Sequence, residues 1–239
     1  MTVDCLLVNG AFPGPTIEAN WGDWIEVKVS NTIADEGTAF HWHGFLQKET
    51  PWMDGVPGMT QCPIAPGSEF TYRFKADLYG TSWWHSHYSS QYASGLLGPM
   101  VVYGPLQKEL SYDVDLGPVL AGDWYHQYYE ASVAMILAPL PAAAPPFAAN
   151  NLLNGKASFD CSKTNLPCVP DAPLSSFNFT SGKSYRLRLV NPSATAVEKI
   201  TIDNHSFTVI AVDFVPVEPY ETDHITLAVG EFLVDHLVL

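Results

Sequence analysis

Two short segments of the sequence each carry two histidines one residue apart. His41 and His43 lie in the segment AFHWHGF, and His85 and His87 lie in the segment GTSWWHSHY. Residues two apart on a β-strand share a face of the sheet, so each pair presents two imidazole rings on one side of its strand. Neutral imidazole is a ligand of copper, zinc and iron. The two pairs therefore predict a metal site built from two neighbouring strands.

The spacing within each pair leaves the number of metal ions open. Residues i and i+2 lie roughly 6.5 to 7 Å apart along a strand, so the two rings of a pair can converge on one ion or serve two adjacent ions. A single pair of this kind is also common on a solvated strand face. Two pairs set among Trp42, Trp83 and Trp84 favour the metal site. We expect the three indoles to pack around the histidines and to keep water out.

Composition narrows the range of partners. The chain of 239 residues has a formal net charge of -14 with only 11 lysines and arginines, which argues against nucleic acid or an anionic membrane surface as a partner. Hydrophobic residues make up 47% of the chain, enough for a sizeable core. The most apolar stretch, residues 131–149, is not expected to span a membrane, because prolines interrupt it. These are Pro139, Pro141, Pro145 and Pro146.

Alternation of apolar and polar residues dominates the chain. Ile25, Val27 and Val29 alternate with charged residues, and Leu187 and Leu189 alternate with arginines. This period is typical of half-buried β-strands. Clusters of Pro and Gly between such runs have the spacing of an antiparallel sandwich. The sequence therefore predicts an all-β protein, with residues 125–137 as the one possible helix.

The histidine segments and their surroundings resemble the N-terminal domain of fungal laccases, multicopper oxidases that oxidise phenols with dioxygen. The resemblance covers nearly the whole chain, and the segments that carry it are HWHG, WMDGVPGMTQCPIAPG, YGTSWWHSHYSSQYASGLLGP, VNGAFPGPTIEANWGDWIEVKVSN, LRLVN and FTVIAVDFVPVEPY. It implies tandem cupredoxin-like Greek-key β-sandwiches. Domain 1 would comprise residues 1–106, with its first strand missing. Domain 2 would comprise residues 107–239 and would be truncated at its C-terminus.

The resemblance also implies a role for each of the paired histidines. His41 would bind the type 2 copper, His43 and His85 one type 3 copper, and His87 the other type 3 copper. These residues are half of the ligands of a trinuclear copper cluster. In laccases the other half, and the blue copper, lie in a third domain with HxH and HCH motifs, which this sequence does not contain. We therefore expect the N-terminal portion of an oxidase, inactive by itself.

The remaining histidines are isolated in sequence, which is more typical of surface or core residues than of metal ligands. They are His126, His205, His224 and His236.

Three further residues match functional positions of laccases. Asp54 matches a carboxylate that relays protons near the copper cluster, although an Asp before Gly is also typical of a simple turn. Ala144 and Pro145 match the apolar wall of the phenol pocket. The acid that fungal laccases often carry in that pocket aligns with Thr195, and Glu198 lies nearby but out of register.

The cysteines and two glycosylation triplets favour an oxidising, secreted environment. Cys161 and Cys168 enclose a short loop that a disulfide can close. In laccases, the cysteine that corresponds to Cys62 is tethered to the C-terminal tail. Asn178 and Asn204 begin Asn-X-Ser/Thr triplets. We expect a secreted glycoprotein, although residues 1–14 lack the features of a signal peptide.

The sequence is compatible with three functions. The first is part of a laccase-like oxidase that oxidises phenols such as benzenediols and reduces dioxygen to water. The second is a catalytically inactive copper-binding or interaction protein derived from a laccase. The third, a zinc hydrolase, ranks last because no HxHxD motif or carboxylate ligand follows the histidine pairs.

Overall fold

The computed structural model describes residues 4–105, 112–142 and 145–238. Strands dominate these residues, which confirms the all-β prediction. The first half contains β1 (Ile17–Asn20), β2 (Trp24–Ser30), β3 (Phe40–Trp42), β4 (Glu69–Lys75), β5 (Gly80–Ser86) and β6 (Leu97–Tyr103). The second contains β7 (Val114–Trp124), α1 (Tyr129–Leu137), β8 (Asn150–Leu153), β9 (Ser184–Val190), β10 (Glu198–Ile200), β11 (Phe207–Val212), β12 (Val215–Thr222), β13 (Ile225–Leu227) and β14 (Phe232–Val238). The helix α1 lies inside the segment with possible helical periodicity.

The first half is a sandwich of two sheets. One sheet has the strand order β1-β6-β5-β3, and the other pairs β2 with β4. Apolar side chains from both sheets form the core, among them Trp42 of β3, Trp84 of β5 and Phe74 of β4. The alternating residues of β2 explain this arrangement, since Ile25 is buried while Trp24 and Glu26 on either side are exposed.

One edge of this sandwich is open. Among the described residues β2 pairs only with β4, so its other edge has no strand partner. A cavity of about 1110 Å³ runs along β2 and is bounded on its far side by residues 5–10 and by β1. The sequence-based expectation of a missing first strand stays a prediction.

The second half repeats the two-sheet plan. A six-stranded sheet has the order β12-β11-β14-β9-β7-β8, and β10 pairs with β13. Its core lies between them and includes Leu189 of β9, Phe207 of β11 and Leu227 of β13. The predicted boundary at residues 106/107 lies outside the described residues.

A third apolar cluster joins the two halves. It contains Trp83 of β5 and Leu97 of β6 from the first half, and Leu120, Val190 and Phe232 from the second. A turn of the second half also inserts here: the ring of Phe214 lies so close to Gly44 and Gly80 that an added Cβ would come within 3.0 and 3.2 Å of it. The β5 strand is consequently buried on both faces.

The predicted disulfide is confirmed. Cys161 and Cys168 are bonded at a sequence separation of 7 residues. Replacing both by serine removes the constraint on the unfolded chain, and for a loop this short we expect a loss of about 2 kcal/mol in the free energy of unfolding. Thermal unfolding of the double variant measures this loss. Cys62→Ser, at an exposed free cysteine, is the control that should leave the melting temperature unchanged, and an equally stable double variant would contradict the prediction.

No helix in the described part of the chain has the length and apolar character needed to cross a membrane.

Candidate metal centre

His41 lies on β3 and His85 lies on β5, which are neighbours in one sheet, and His43 and His87 each follow directly after the end of their strand. The two strands are antiparallel, and His41 is directly opposite His85. Phe40, Trp42 and Trp84 point from the same strands into the core of the first half. Because side chains alternate along a strand, burial of these aromatic residues sends the histidines to the opposite face.

On that face three imidazole rings converge. Nitrogen atoms of His41, His43 and His85 all lie within 4.8 Å of one another. The ring centroid of His41 is 5.6 Å from that of His43 and 5.3 Å from that of His85. The ring of His87 is 5.6 Å from His41 and 5.9 Å from His85, and this residue is exposed. The structure therefore brings together the four histidines that the sequence singled out, with His87 at the solvent side.

Hydrogen bonds hold two of these rings in a defined orientation. The Nδ1–H of His41 donates to the backbone carbonyl of Asp54 over 2.8 Å, and the Nδ1–H of His85 donates to that of Ser86 over 3.0 Å. Each ring therefore keeps the lone pair of Nε2 for another partner. Gln91, fully buried, in turn accepts a hydrogen bond from the hydroxyl of Ser86.

His43 provides the most direct test of whether a metal fits. Its Nδ1 is buried and has no hydrogen-bond partner. An unpaired buried polar atom is costly, so a partner outside the described residues is expected. A donor set of imidazole nitrogens with free lone pairs suits copper, and the residues present therefore fit this metal.

Burial keeps the rings of His41, His43 and His85 neutral at pH 7. Burial, followed by the neighbouring imidazoles, lowers the pKa of His43 to about 4. Burial also lowers the pKa of His85 to about 3, despite its bond to the carbonyl of Ser86. The pKa of His41 is lowered as well, again chiefly by burial. A neutral ring has the lone pair that metal binding requires, so the site is ready for a cation at neutral pH.

Of the three tryptophans, only Trp83 packs against the histidines. Trp83 stacks on His85 at 4.2 Å and on His43 at 5.1 Å, with interplanar angles of 27°. Trp42 and Trp84 instead lie in the core of the first half, on the opposite face of the sheet. The expectation that all three pack around the histidines was wrong for these two, because adjacent residues on a strand point to opposite faces.

Asp54 lies beside His41. Its carboxylate Oδ1 is 3.3 Å from Nδ1 of His41, and its own backbone carbonyl accepts the stronger, shorter bond from the same nitrogen. The side chain is 29% exposed, so it contacts both the ring and solvent. Asp54 also follows a short 3₁₀ helix, Pro51–Met53, so it is in a turn as well as near the histidines.

Gly55 is required for this arrangement. Its φ is +80°, and an added Cβ would lie 1.7 Å from the backbone oxygen of Phe40. We expect Gly55→Ala to destabilise the fold by at least about 2 kcal/mol, because the backbone must move and the bond from His41 to Asp54 breaks. Gly58→Ala is the matched control, since Gly58 has φ of +77° and no atom within 4 Å of the added Cβ. Urea unfolding that gave equal losses for both variants would contradict this prediction.

The residues that the sequence assigned to a phenol pocket have the following positions in the structure. Pro145 is exposed, and Ala144 lies outside the described residues. The hydroxyl of Thr195 is 2.6 Å from that of Tyr125, and Glu198 is buried and accepts a hydrogen bond from Asn151. Glu198 is therefore closed to a ligand from solvent, whereas Thr195 is exposed.

Comparison with known proteins gives the family of the chain. Sequence models of the multicopper oxidase family match residues 1–107 and 115–234. Laccase-2 of Botryotinia fuckeliana is 44% identical over 231 residues, which are 96% of this chain and 39% of that laccase. Dihydrogeodin oxidase of Aspergillus terreus is 45% identical over 229 residues, which are 93% of this chain and 36% of that enzyme.

Solved structures give the same result. The laccase from Botrytis aclada has a TM-score of 0.89 and 42% identity, with 96% of this chain and 42% of that chain covered. The chain belongs to the multicopper oxidase family, and its relatives include fungal laccases. It spans less than half of the length of the relatives named here. The predicted cupredoxin-like sandwiches are confirmed, and the family implies copper as the metal.

Proposed function

We propose that this chain provides half of the trinuclear copper site of a laccase-like oxidase. The complete enzyme would oxidise phenolic substrates such as benzenediols and reduce dioxygen to water. One observation supports this most strongly: three imidazole nitrogens from two strands lie within 4.8 Å of one another. The two domains would be residues 1–106 and 107–239.

The proposed ligand roles follow the family pattern. His41 would hold the type 2 copper, His43 and His85 one type 3 copper, and His87 the other. Bound copper ions supply one-electron transfer, which four-electron reduction of dioxygen requires. The exposure of His87 fits a ligand at the edge of this half of the site.

The residues around the histidines would prepare the site. The carbonyls of Asp54 and Ser86 fix the ring orientations of His41 and His85. Trp83 covers the faces of His43 and His85 and excludes water from them. The carboxylate of Asp54, partly open to solvent, would carry protons between bulk water and the site.

The remaining parts of the proposal concern substrate and location. Pro145, on an exposed loop next to Ala144, would contribute to the wall that receives the phenol. The protein would be secreted, and the exposed Asn178 and Asn204 would carry glycans.

A second function is favoured by one specific observation. The grouped imidazole nitrogens all come from the paired histidines of this chain itself. A chain that binds copper through the four paired histidines and oxidises nothing would fit this ligand set equally well.

The copper content of the purified chain tests the proposal. About one bound copper ion per chain, without a blue absorption band and without phenol oxidation, supports half of a site. A content of about three or four, together with blue colour and turnover, would contradict the incomplete ligand set. Stoichiometric zinc with hydrolytic activity would favour the zinc hydrolase instead.

A further inference from the structure

A turn of the second half touches the histidine cluster of the first. This turn joins β13 to β14 and contains Gly230, which is buried and has φ of +83°. A Cβ at this position would lie 3.0 Å from Cε1 and 3.2 Å from Nε2 of His43. The backbone at Gly230 therefore lies against the edge of the His43 ring, and an added Cβ would require that ring to shift by a few tenths of an ångström.

The same glycine also contacts the indole that supports the histidines. The Nε1–H of Trp83 donates to the carbonyl of Gly230 over 3.3 Å. Trp83 stacks on both His43 and His85. One backbone position of the second half therefore restrains one imidazole directly and a second through Trp83.

Asn191 anchors the turn to β9. Its backbone carbonyl accepts from the N–H of Gly230 over 2.9 Å, and its own N–H donates to the carbonyl of Glu231 over 2.9 Å. Its side-chain amide, fully buried, donates to the carbonyl of Leu227 at the end of β13. The carboxylate of Glu231 closes the turn by accepting from the N–H of Ala228 over 2.7 Å. Hydrogen bonds on both sides of Gly230 thus hold the turn in one place.

We propose that Gly230 is a positioning residue of the metal site, which sets the orientation of His43 and Trp83 for copper binding. The inference rests on the proposed function, because it concerns the same ligands. Rings held in the bound orientation before the metal arrives lose less conformational freedom on binding. The histidine site is therefore incomplete without the second half, although that half contributes no histidine to the cluster among the residues described.

The test compares two glycine variants of the full chain with Cu²⁺ alone as the probe. We expect Gly230→Ala to lower the copper affinity roughly tenfold or more, as loss of supporting contacts does at other metal sites. The electron paramagnetic resonance spectrum of bound Cu²⁺ should change as well, because His43 turns. Gly182→Ala is the matched control: Gly182 has φ of +77° and no atom within 4 Å of the added Cβ, so it adds only the backbone strain. Its affinity and spectrum should equal those of the native chain.

The outcomes separate this inference from the proposed function. A native chain that binds no copper would overturn both. A native chain that binds copper, with the same affinity and spectrum in Gly230→Ala, would overturn the inference alone. If circular dichroism shows that Gly230→Ala does not fold, Trp83→Phe decides, since it removes the donor to Gly230 but keeps an aromatic ring beside the imidazoles. A lower copper affinity in that variant supports the inference, and an unchanged affinity overturns it.

Discussion

Replacing Arg188 by methionine is expected to lower the free energy of unfolding by about 3 to 5 kcal/mol. Arg188 is only 2% exposed. Its guanidinium contacts both carboxylate oxygens of Asp115, with Nη2 at 2.7 Å from Oδ2, and donates from Nη1 to the hydroxyl of Thr81 over 2.8 Å. Removing the arginine leaves the carboxylate of Asp115, which is 25% exposed, without its ion-pair partner. Urea unfolding measures the loss.

Two further variants show whether the loss of stability in Arg188→Met comes from the burial of its ion pair. Arg73 lies 3.9 Å from Glu26 on the surface, so Arg73→Met is expected to cost no more than about 1 kcal/mol. Adding Asp115→Leu to Arg188→Met removes the unpaired charge and should recover part of the stability. A loss below about 1 kcal/mol for Arg188→Met would show that the buried ion pair does not stabilise the fold.

Replacing His85 by alanine is expected to lower the affinity for copper by more than roughly 100-fold. His85 is the most buried of the paired histidines, and its ring lies 5.3 Å from His41 and 5.7 Å from His43. Replacing it removes the one ligand nitrogen that β5 contributes to the group formed with His41 and His43. Isothermal titration with Cu²⁺ measures the change.

The control for this variant is a histidine away from the cluster. His126 contacts Asn150 and the ring of Phe159, and it is not among the converging histidines. His126→Ala should bind copper as the native chain does. Unchanged copper affinity in His85→Ala would remove the histidine cluster as the metal site.

The strands and the histidine face could be predicted from the sequence because both depend on local alternation. Burial of Phe40, Trp42 and Trp84 on one face requires His41 and His85 on the other, and a period of two residues shows this without a structure. The same rule could have shown that Trp42 and Trp84 point away from the histidines. The disulfide was also predictable, since its cysteines are close in sequence.

The contacts between the halves could not be predicted in the same way. Gly230 meets His43, and Arg188 meets Thr81, through residues far apart in the chain. A glycine has no side chain whose type could indicate a contact, and an arginine on a strand normally suggests solvent. Such pairings depend on how two sandwiches pack, which no local pattern specifies.

The most direct test of the account is the position of copper in crystals of the chain grown with Cu²⁺. Anomalous scattering at the copper absorption edge locates the ion independently of the protein atoms. We expect an anomalous peak within ligand distance, roughly 2 to 2.3 Å, of imidazole nitrogens of His41, His43 or His85. Copper located elsewhere, or no peak among these rings in a chain that remains folded, would contradict it.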